Sequence, residues 1–185
     1  MSLSHAILGL LQKESMTGYD LKTRCFDQSI AHFWPADQSQ IYRNLDKLAK
    51  EGWVHSDLQV QQERPNRKVY SITGAGRAEL ARWLTSPQEI PIYREPFLIQ
   101  LFFGQQLANQ ELIQIMQEQL RQHQRRLDTY DAIPLPAVGT PGLGRRYTLE
   151  RLTLDLGVEI QKTYIAWLQH SIDVVAELEA EEVPA

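Results

Sequence analysis

With 185 residues, 43% of them hydrophobic and 23% charged, the chain has the length of one to one-and-a-half ordinary domains and enough apolar material for a buried core, which excludes a disordered segment. Its single cysteine, Cys25, excludes an internally cross-linked scaffold, and no apolar run approaches the roughly 20 residues of a membrane-spanning helix. The net charge of −4 hides an asymmetry: residues 1–87 carry 11 Lys and Arg against 9 Asp and Glu, residues 88–185 carry 8 against 14, so the two halves suit different partners.

The opening MSLSHAILGLLQKE lacks the basic start and cleavage site of an export signal, so the cytosol is the expected compartment. Leu3, Ile7, Leu10 and Leu11 recur at helical spacing, with Ser2 or Ser4 available to cap the start. After a break at Glu14-Ser15-Met16, Thr17 is an N-cap with Asp20 three residues on, as in a capping box. The second helix runs to about Gln28 with Leu21 and Cys25 on one face, and Phe33-Trp34-Pro35 ends it. Asp37-Gln38-Ser39-Gln40 repeats the cap pattern for a third helix, whose buried stripe is Ile41, Leu45 and Leu48 and whose end is Gly52.

Alternation follows. Val54, Leu58 and Val60, then Tyr70 and Ile72, fall on one face of a half-buried hairpin with its tip at Gln62 to Arg67. Thr73 caps a fourth helix with Leu80, Trp83 and Leu84 apolar, and Pro87 and Pro91 bracket a linker. Three short helices followed by a two-stranded ribbon make a winged helix-turn-helix, whose third helix enters the DNA major groove.

The back half reads as helical throughout. Pro96 opens a helix to about Leu107 with Phe97, Leu98, Leu101 and Phe102 inside; Asn109 caps the next, with Ile113, Met116, Leu120, His123, Leu127 and Tyr130 at intervals of three and four. A Pro/Gly-rich loop, Ile133 to Gly144, leads to a final helix from Tyr147 to Glu179. Its Leu149, Leu152, Leu156, Ile160, Trp167, Ser171, Val174 and Leu178 form a near-heptad seam. Such a helix spans about 50 Å, and a twofold homodimer is the simplest cover for its seam.

With Ile41, Leu45 and Leu48 turned inward, Ser39, Arg43, Asp46, Lys47 and Lys50 of the third helix face outward, flanked by Gln40 and Tyr42, with Gln38 at the start. Gln pairs with adenine, Arg with guanine, and Ser, Tyr and Lys hold phosphates. The same residue types also populate ordinary solvated helix faces, and Asp46 would be repelled by phosphate. Arg64, Arg67 and Lys68, with Pro65 and Asn66 setting the turn, put three cations on a protruding ribbon, where they would displace counterions from a DNA backbone. Edge charges that deter strand pairing account for one or two of them. The rival reading is a winged-helix protein–protein module without DNA binding, favoured by the net acidity and Asp46.

These segments also carry a resemblance. Gly18-Tyr19-Asp20-Leu21, Ile41-Tyr42-Arg43-Asn44-Leu45 with Leu48 and Glu51-Gly52, and Arg64-Pro65-Asn66-Arg67-Lys68-Val69-Tyr70-Ser71-Ile72-Thr73 with Gly76 and Trp83-Leu84 resemble the PadR family of bacterial transcriptional regulators. Glu95-Pro96-Phe97-Leu98, Phe102-Phe103-Gly104, Leu152-Thr153-Leu154 with Gly157, and Trp167-Leu168 resemble its subgroup with the larger C-terminal domain. The resemblance implies a homodimeric, ligand-responsive repressor. Its DNA contacts would be Tyr42 and its neighbours on the third helix and Arg64 to Lys68 on the wing.

The expectation is therefore a mainly α chain with a small β-hairpin: a winged helix-turn-helix DNA-binding domain over residues 1–87 and a helical dimerisation and regulatory domain over 92–185. Expected DNA-binding residues are Gln38, Ser39, Gln40, Tyr42, Arg43, Lys47, Arg64, Asn66, Arg67 and Lys68. Tyr93, Phe97, Phe102, Phe103 and Trp167 are candidates for an effector pocket where the halves join, with interface core as the competing reading. The expected partners are double-stranded DNA, a second copy of the chain and a small molecule of unspecified identity, and no membrane. No enzyme activity, metal or cofactor is expected. The 5 histidines are scattered without metal-ligand spacing; Cys25 reads as a small core residue; and Gly74 and Gly76 lack the third glycine of a dinucleotide loop.

Overall fold

A computed structural model of the chain describes residues 2–28, 30–59 and 67–178. The chain divides into two compact units, Met1–Ile90 and Pro91–Ala185. The first begins with helix α1, Ser2–Leu11, strand β1, Met16–Thr17, and helix α2, Gly18–Asp20, which passes directly into a π-helical turn, Leu21–Phe26. Helix α3, Gln38–Lys50, strands β2, Val54–Gln59, and β3, Arg67–Ile72, and helix α4, Gly74–Leu84, complete it.

Local hydrogen bonding explains where these helices start and stop. The Thr17 hydroxyl accepts from the Asp20 N–H at 3.0 Å while the Asp20 carboxylate accepts from the Thr17 N–H at 3.2 Å, a reciprocal capping box. Asp37 and Gln40 repeat it at 2.7 and 3.0 Å on α3. The Thr73 hydroxyl accepts from the Gly76 N–H at 3.1 Å and donates to the Gly52 carbonyl at 2.7 Å. At the other end of α3, Gly52 takes φ 71°, its N–H bonds Ala49 at 3.1 Å and the Trp53 N–H bonds Leu48 at 2.9 Å. That pair of bonds is a Schellman motif, and the left-handed residue it needs is glycine. Ser4 is not a cap: it lies within α1, buried, and its hydroxyl donates to Asn44 Oδ1 of α3 at 2.7 Å.

The sheet has three strands, ordered β1-β3-β2, all antiparallel. β1, where the sequence suggests only a break, pairs Met16 with Tyr70 and Thr17 with Val69. The hairpin pairs Val54 with Ile72 through Gln59 with Arg67. Among the described residues, only its base is buried. Val54, Tyr70 and Ile72 join the core, but Leu58, expected to follow them inward, is 64% exposed because the ribbon has by then left the body of the unit. Val60 and the tip residues Arg64, Pro65 and Asn66 lie outside the described residues.

The core of this unit combines Ile7, Leu8 and Leu11 of α1 with Leu21 and Phe26, the α3 stripe Ile41, Leu45 and Leu48, and Leu80 of α4. Of the other apolar residues expected on α4, Trp83 is half-buried with its ring stacked on His5 at 4.6 Å, while Leu84 is exposed. His5 is buried, and its Nε2 lies 3.0 Å from Glu79 Oε1. Gly76 permits a close approach: a Cβ there would sit 2.1 Å from the Trp53 carbonyl oxygen.

The second unit holds helix α5, Pro96–Phe102, a 3-10 turn, Gly104–Gln106, and the long helices α6, Asn109–Asp131, and α7, Arg145–Glu177. α5 ends at Phe102, short of the expected Leu107, and it buries Phe97 alone; Leu98 and Phe102 are exposed. Ala108, not Asn109, is the cap residue of α6: its N–H donates to Glu111 Oε2 at 2.9 Å. The Asn109 amide instead donates to the Leu178 carbonyl at 2.9 Å, tying the start of α6 to the end of α7. The two helices pack along two clusters, Phe97, Met116, Leu168 and Val175 at one end and Tyr130, Leu154 and Val158 at the other.

Candidate nucleic-acid interface

On α3, the cap at Asp37 and the buried stripe fix the rotation of the helix. Gln38, Ser39, Gln40, Tyr42, Arg43, Asp46, Lys47 and Lys50 all lie on its exposed surface. Lys47 Nζ is 3.9 Å from Glu51 Oε1, one turn on. The Gln40 side chain is engaged in the Asp37 cap through Oε1, and its carbonyl accepts from the Asn44 amide at 2.8 Å. Its role at the start of the helix is therefore partly structural.

The short turn of α2 brings the recognition helix and the wing together. The Tyr42 ring covers Gly18 so closely that a Cβ there would meet Tyr42 Cε1 at 2.6 Å. Two residues further on, Asp20 Oδ2 accepts from Arg67 Nη2 at 3.1 Å. Tyr42 of α3 and Arg67 of β3 therefore meet the same turn. Thr17 holds the Asp20 carboxyl below the ordinary aspartate range by hydrogen bonding; burial opposes that and the nearby Arg67 charge assists it. Lys68 Nζ lies 5.2 Å from the Tyr70 ring centroid. Sequence reasoning places Asp20 only as a cap; its second role needs the tertiary pairing of β3.

In the second unit the expected effector aromatics separate. Phe97 is buried and meets Trp167 edge-on at 6.1 Å. Phe102 and Phe103 pack edge-to-face on one another at 5.0 Å, yet both are exposed, as is Tyr93, whose hydroxyl donates to Glu95 at 3.2 Å. An apolar pocket of about 260 Å³ is lined by Leu98, Thr163, Tyr164 and Trp167. Of the five aromatics, Trp167 alone lines it. Tyr164, which the sequence does not single out, stacks on His123 at 4.3 Å, and burial raises its phenol above the ordinary range. Among the described residues, no cluster of His, Cys, Asp and Glu could hold a metal ion. Nor is any described helix long and apolar enough to cross a membrane.

Helices α1 to α3, the last of them capped at its start, followed by an antiparallel wing make the winged helix-turn-helix of DNA-binding transcriptional regulators. Comparison with known proteins narrows the class. The sequence model of the transcriptional regulator PadR-like family matches residues 7–82, and that of the virulence activator alpha C-terminal region matches residues 93–176. The negative transcriptional regulator PadR of Bacillus subtilis is 31% identical over 182 residues, covering 94% of this chain and 97% of that protein. The crystal structure of B. subtilis PadR with operator DNA superposes with a TM-score of 0.80 at 30% identity over 95% of this chain and 99% of the other. Its complex with p-coumaric acid gives 0.74 at 31% identity over 96% and 100%. The chain belongs to the PadR-like family of transcriptional regulators.

Proposed function

We propose that the chain is a ligand-responsive repressor that acts as a homodimer on a pseudo-palindromic operator, with residues 1–87 binding DNA and residues 92–185 dimerising and sensing the ligand. The observation that carries the DNA-binding half is the shared turn. Tyr42 and Arg67 both pack on Gly18 to Asp20, so α3 and the wing address one duplex together. Ser39, Tyr42 and Arg43, with Gln38 and Gln40 at the helix start, face the major groove, while Lys47, Lys68, Arg64 and Asn66 serve the backbone beside it. Half-sites lie one helical turn, about 34–36 Å, or a multiple of it apart.

The outer seam of α7 supports the dimer. Leu149, Leu152, Leu156 and Ile160 are all exposed in the single chain, as is Val174 further along the same face, an apolar strip that a second copy would cover. A ligand releases the operator only by binding better to a dimer with misplaced recognition helices. The apolar pocket at Trp167 and Tyr164 suits a small aromatic compound, and the complex of B. subtilis PadR with p-coumaric acid supports that class. The negative regulation named for the same relative supports repression.

Selection of bound DNA from a random pool, at fixed salt, tests the reading. A palindromic consensus is expected. Arg43→Ala should relax one base position. Lys68→Ala should weaken binding to all sequences and lower the salt slope by about 0.9 for each phosphate it leaves unneutralised. A pool that yields no enriched sequence overturns the proposal.

A further inference from the structure

We propose that Asp20 and Arg67 work as one charge-neutral strut that sets the angle of the wing against the helix-turn-helix. Asp20 is then a positioning residue for DNA recognition, and Arg67 is not an independent phosphate ligand. The inference rests on the DNA-binding reading and refines it at Arg67.

Three donors converge on Asp20 Oδ2: the Thr17 N–H at 3.2 Å, the Thr17 hydroxyl at 2.6 Å and the Arg67 guanidinium at 3.1 Å. The carboxylate is thus fixed by its own capping box before Arg67 reaches it. Thr17 in turn belongs to β1, whose partner on β3 is Val69. Strand β3 is therefore gripped twice from the same turn, through the backbone at Val69 and through the side chain at Arg67. The second grip sits where it has most leverage. Across the hairpin from Arg67 is Gln59, and the β2 residues Asp57 to Gln59 are all exposed, so nothing in the core steadies the ribbon there.

Electrostatics favours keeping the pair on DNA. A guanidinium and a carboxylate in contact present a dipole whose field falls off quickly, so the pair adds little to the attraction of a phosphate. Taking Arg67 away to a phosphate would leave a carboxylate facing a polyanion. The Asp20 side chain is 20% exposed and that of Arg67 47%, so the carboxylate is the better shielded of the two and the bond lies partly out of water.

The test uses the full chain with Asp20→Asn, Arg67→Gln and both together, their folding checked by circular dichroism. Affinities for the selected operator and for random duplex are measured by fluorescence anisotropy across a salt series. The strut predicts a similar loss on the operator for all three, on the order of tenfold, because either substitution removes the same ion pair. The double variant, which conserves net charge, should keep the wild-type salt slope and the wild-type affinity for random DNA. Because Asp20 also caps α2, Arg67→Gln decides the matter alone if Asp20→Asn melts early: operator binding falls well beyond the smaller loss on random duplex that the uncovered Asp20 carboxylate causes. Equal losses on both DNAs with a slope reduced by about 0.9, additive losses, or an Asp20→Asn protein that binds as tightly as wild type would each overturn the strut. A wild-type chain that binds no DNA would overturn the underlying reading as well.

Discussion

Gly18 is a position where one methyl group should disturb recognition more than folding. Its added Cβ meets the far edge of the Tyr42 ring rather than backbone, and a ring at the surface can swing away at small cost. Gly18→Ala is expected to change the unfolding free energy by less than about 1 kcal/mol and to weaken operator binding about tenfold, or ~1.4 kcal/mol. In a Tyr42→Ala background the same substitution should have no further effect on binding. Gly76 behaves oppositely, since its added Cβ would press on the Trp53 carbonyl, which cannot yield without moving the strand. Gly76→Ala should therefore cost about 2–3 kcal/mol in urea unfolding.

Glu79 links α4 to α1 and makes a pH-dependent contribution. Its carboxylate accepts from Arg82 and faces His5, and these bonds, with Arg82 the larger influence, lower its pKa from 4.5 to about 2. A carboxylate with a lower pKa in the folded chain stabilises it above the unfolded value, and that stability is lost as pH falls through the folded value. Wild type should exceed Glu79→Gln in stability above pH 4.5, with the margin closing as pH falls toward about 2. Urea titrations across that range check it; a margin independent of pH would refute the linkage.

At the scale of elements, what is legible in sequence is local. The caps at Thr17, Asp37 and Thr73 close within three residues, and the inward stripe of α3 repeats within one helix, so composition and spacing reveal them. β1 is invisible because two residues acquire strand character only through β3, more than fifty positions away. The π-helical turn, Leu21–Phe26, leaves no trace in a helical apolar pattern. Leu58 and Phe102 alternate or recur correctly and are nevertheless exposed, because burial depends on what stands opposite. Helix α7 shows the difficulty most clearly. Its outer seam stands out by spacing, whereas Leu154, Val158, Gln161, Leu168 and Val175, which pack inward, do not. A helix apolar on two faces satisfies either register. Gln161 is 4% exposed and its Oε1 meets Nδ1 of the half-buried His123 at 2.7 Å, a part-buried polar pair amid the α6–α7 packing. Gln161→Ala removes one partner and strands the imidazole, so a loss of about 1–3 kcal/mol is expected in thermal or urea unfolding.

For the whole molecule the question of assembly turns on that outer seam. Inward-facing residues of α7 already have partners within their own unit, so substitutions on the outer strip separate assembly from folding. Leu152 and Leu156 are one turn apart and exposed in the single chain, where a charge would be hydrated at little cost. Leu152→Glu with Leu156→Glu should leave the helical signal intact. Sedimentation should show a monomer where the wild type is expected to run as a dimer, because two carboxylates per chain would have to be desolvated at the proposed seam. Each half-site would then bind separately. Losing the effective concentration that couples the two sites should lower operator affinity on the order of 10²-fold or more, while a single half-site duplex is bound as before. A doubly substituted chain that still sediments as a dimer would place the twofold contact on another face.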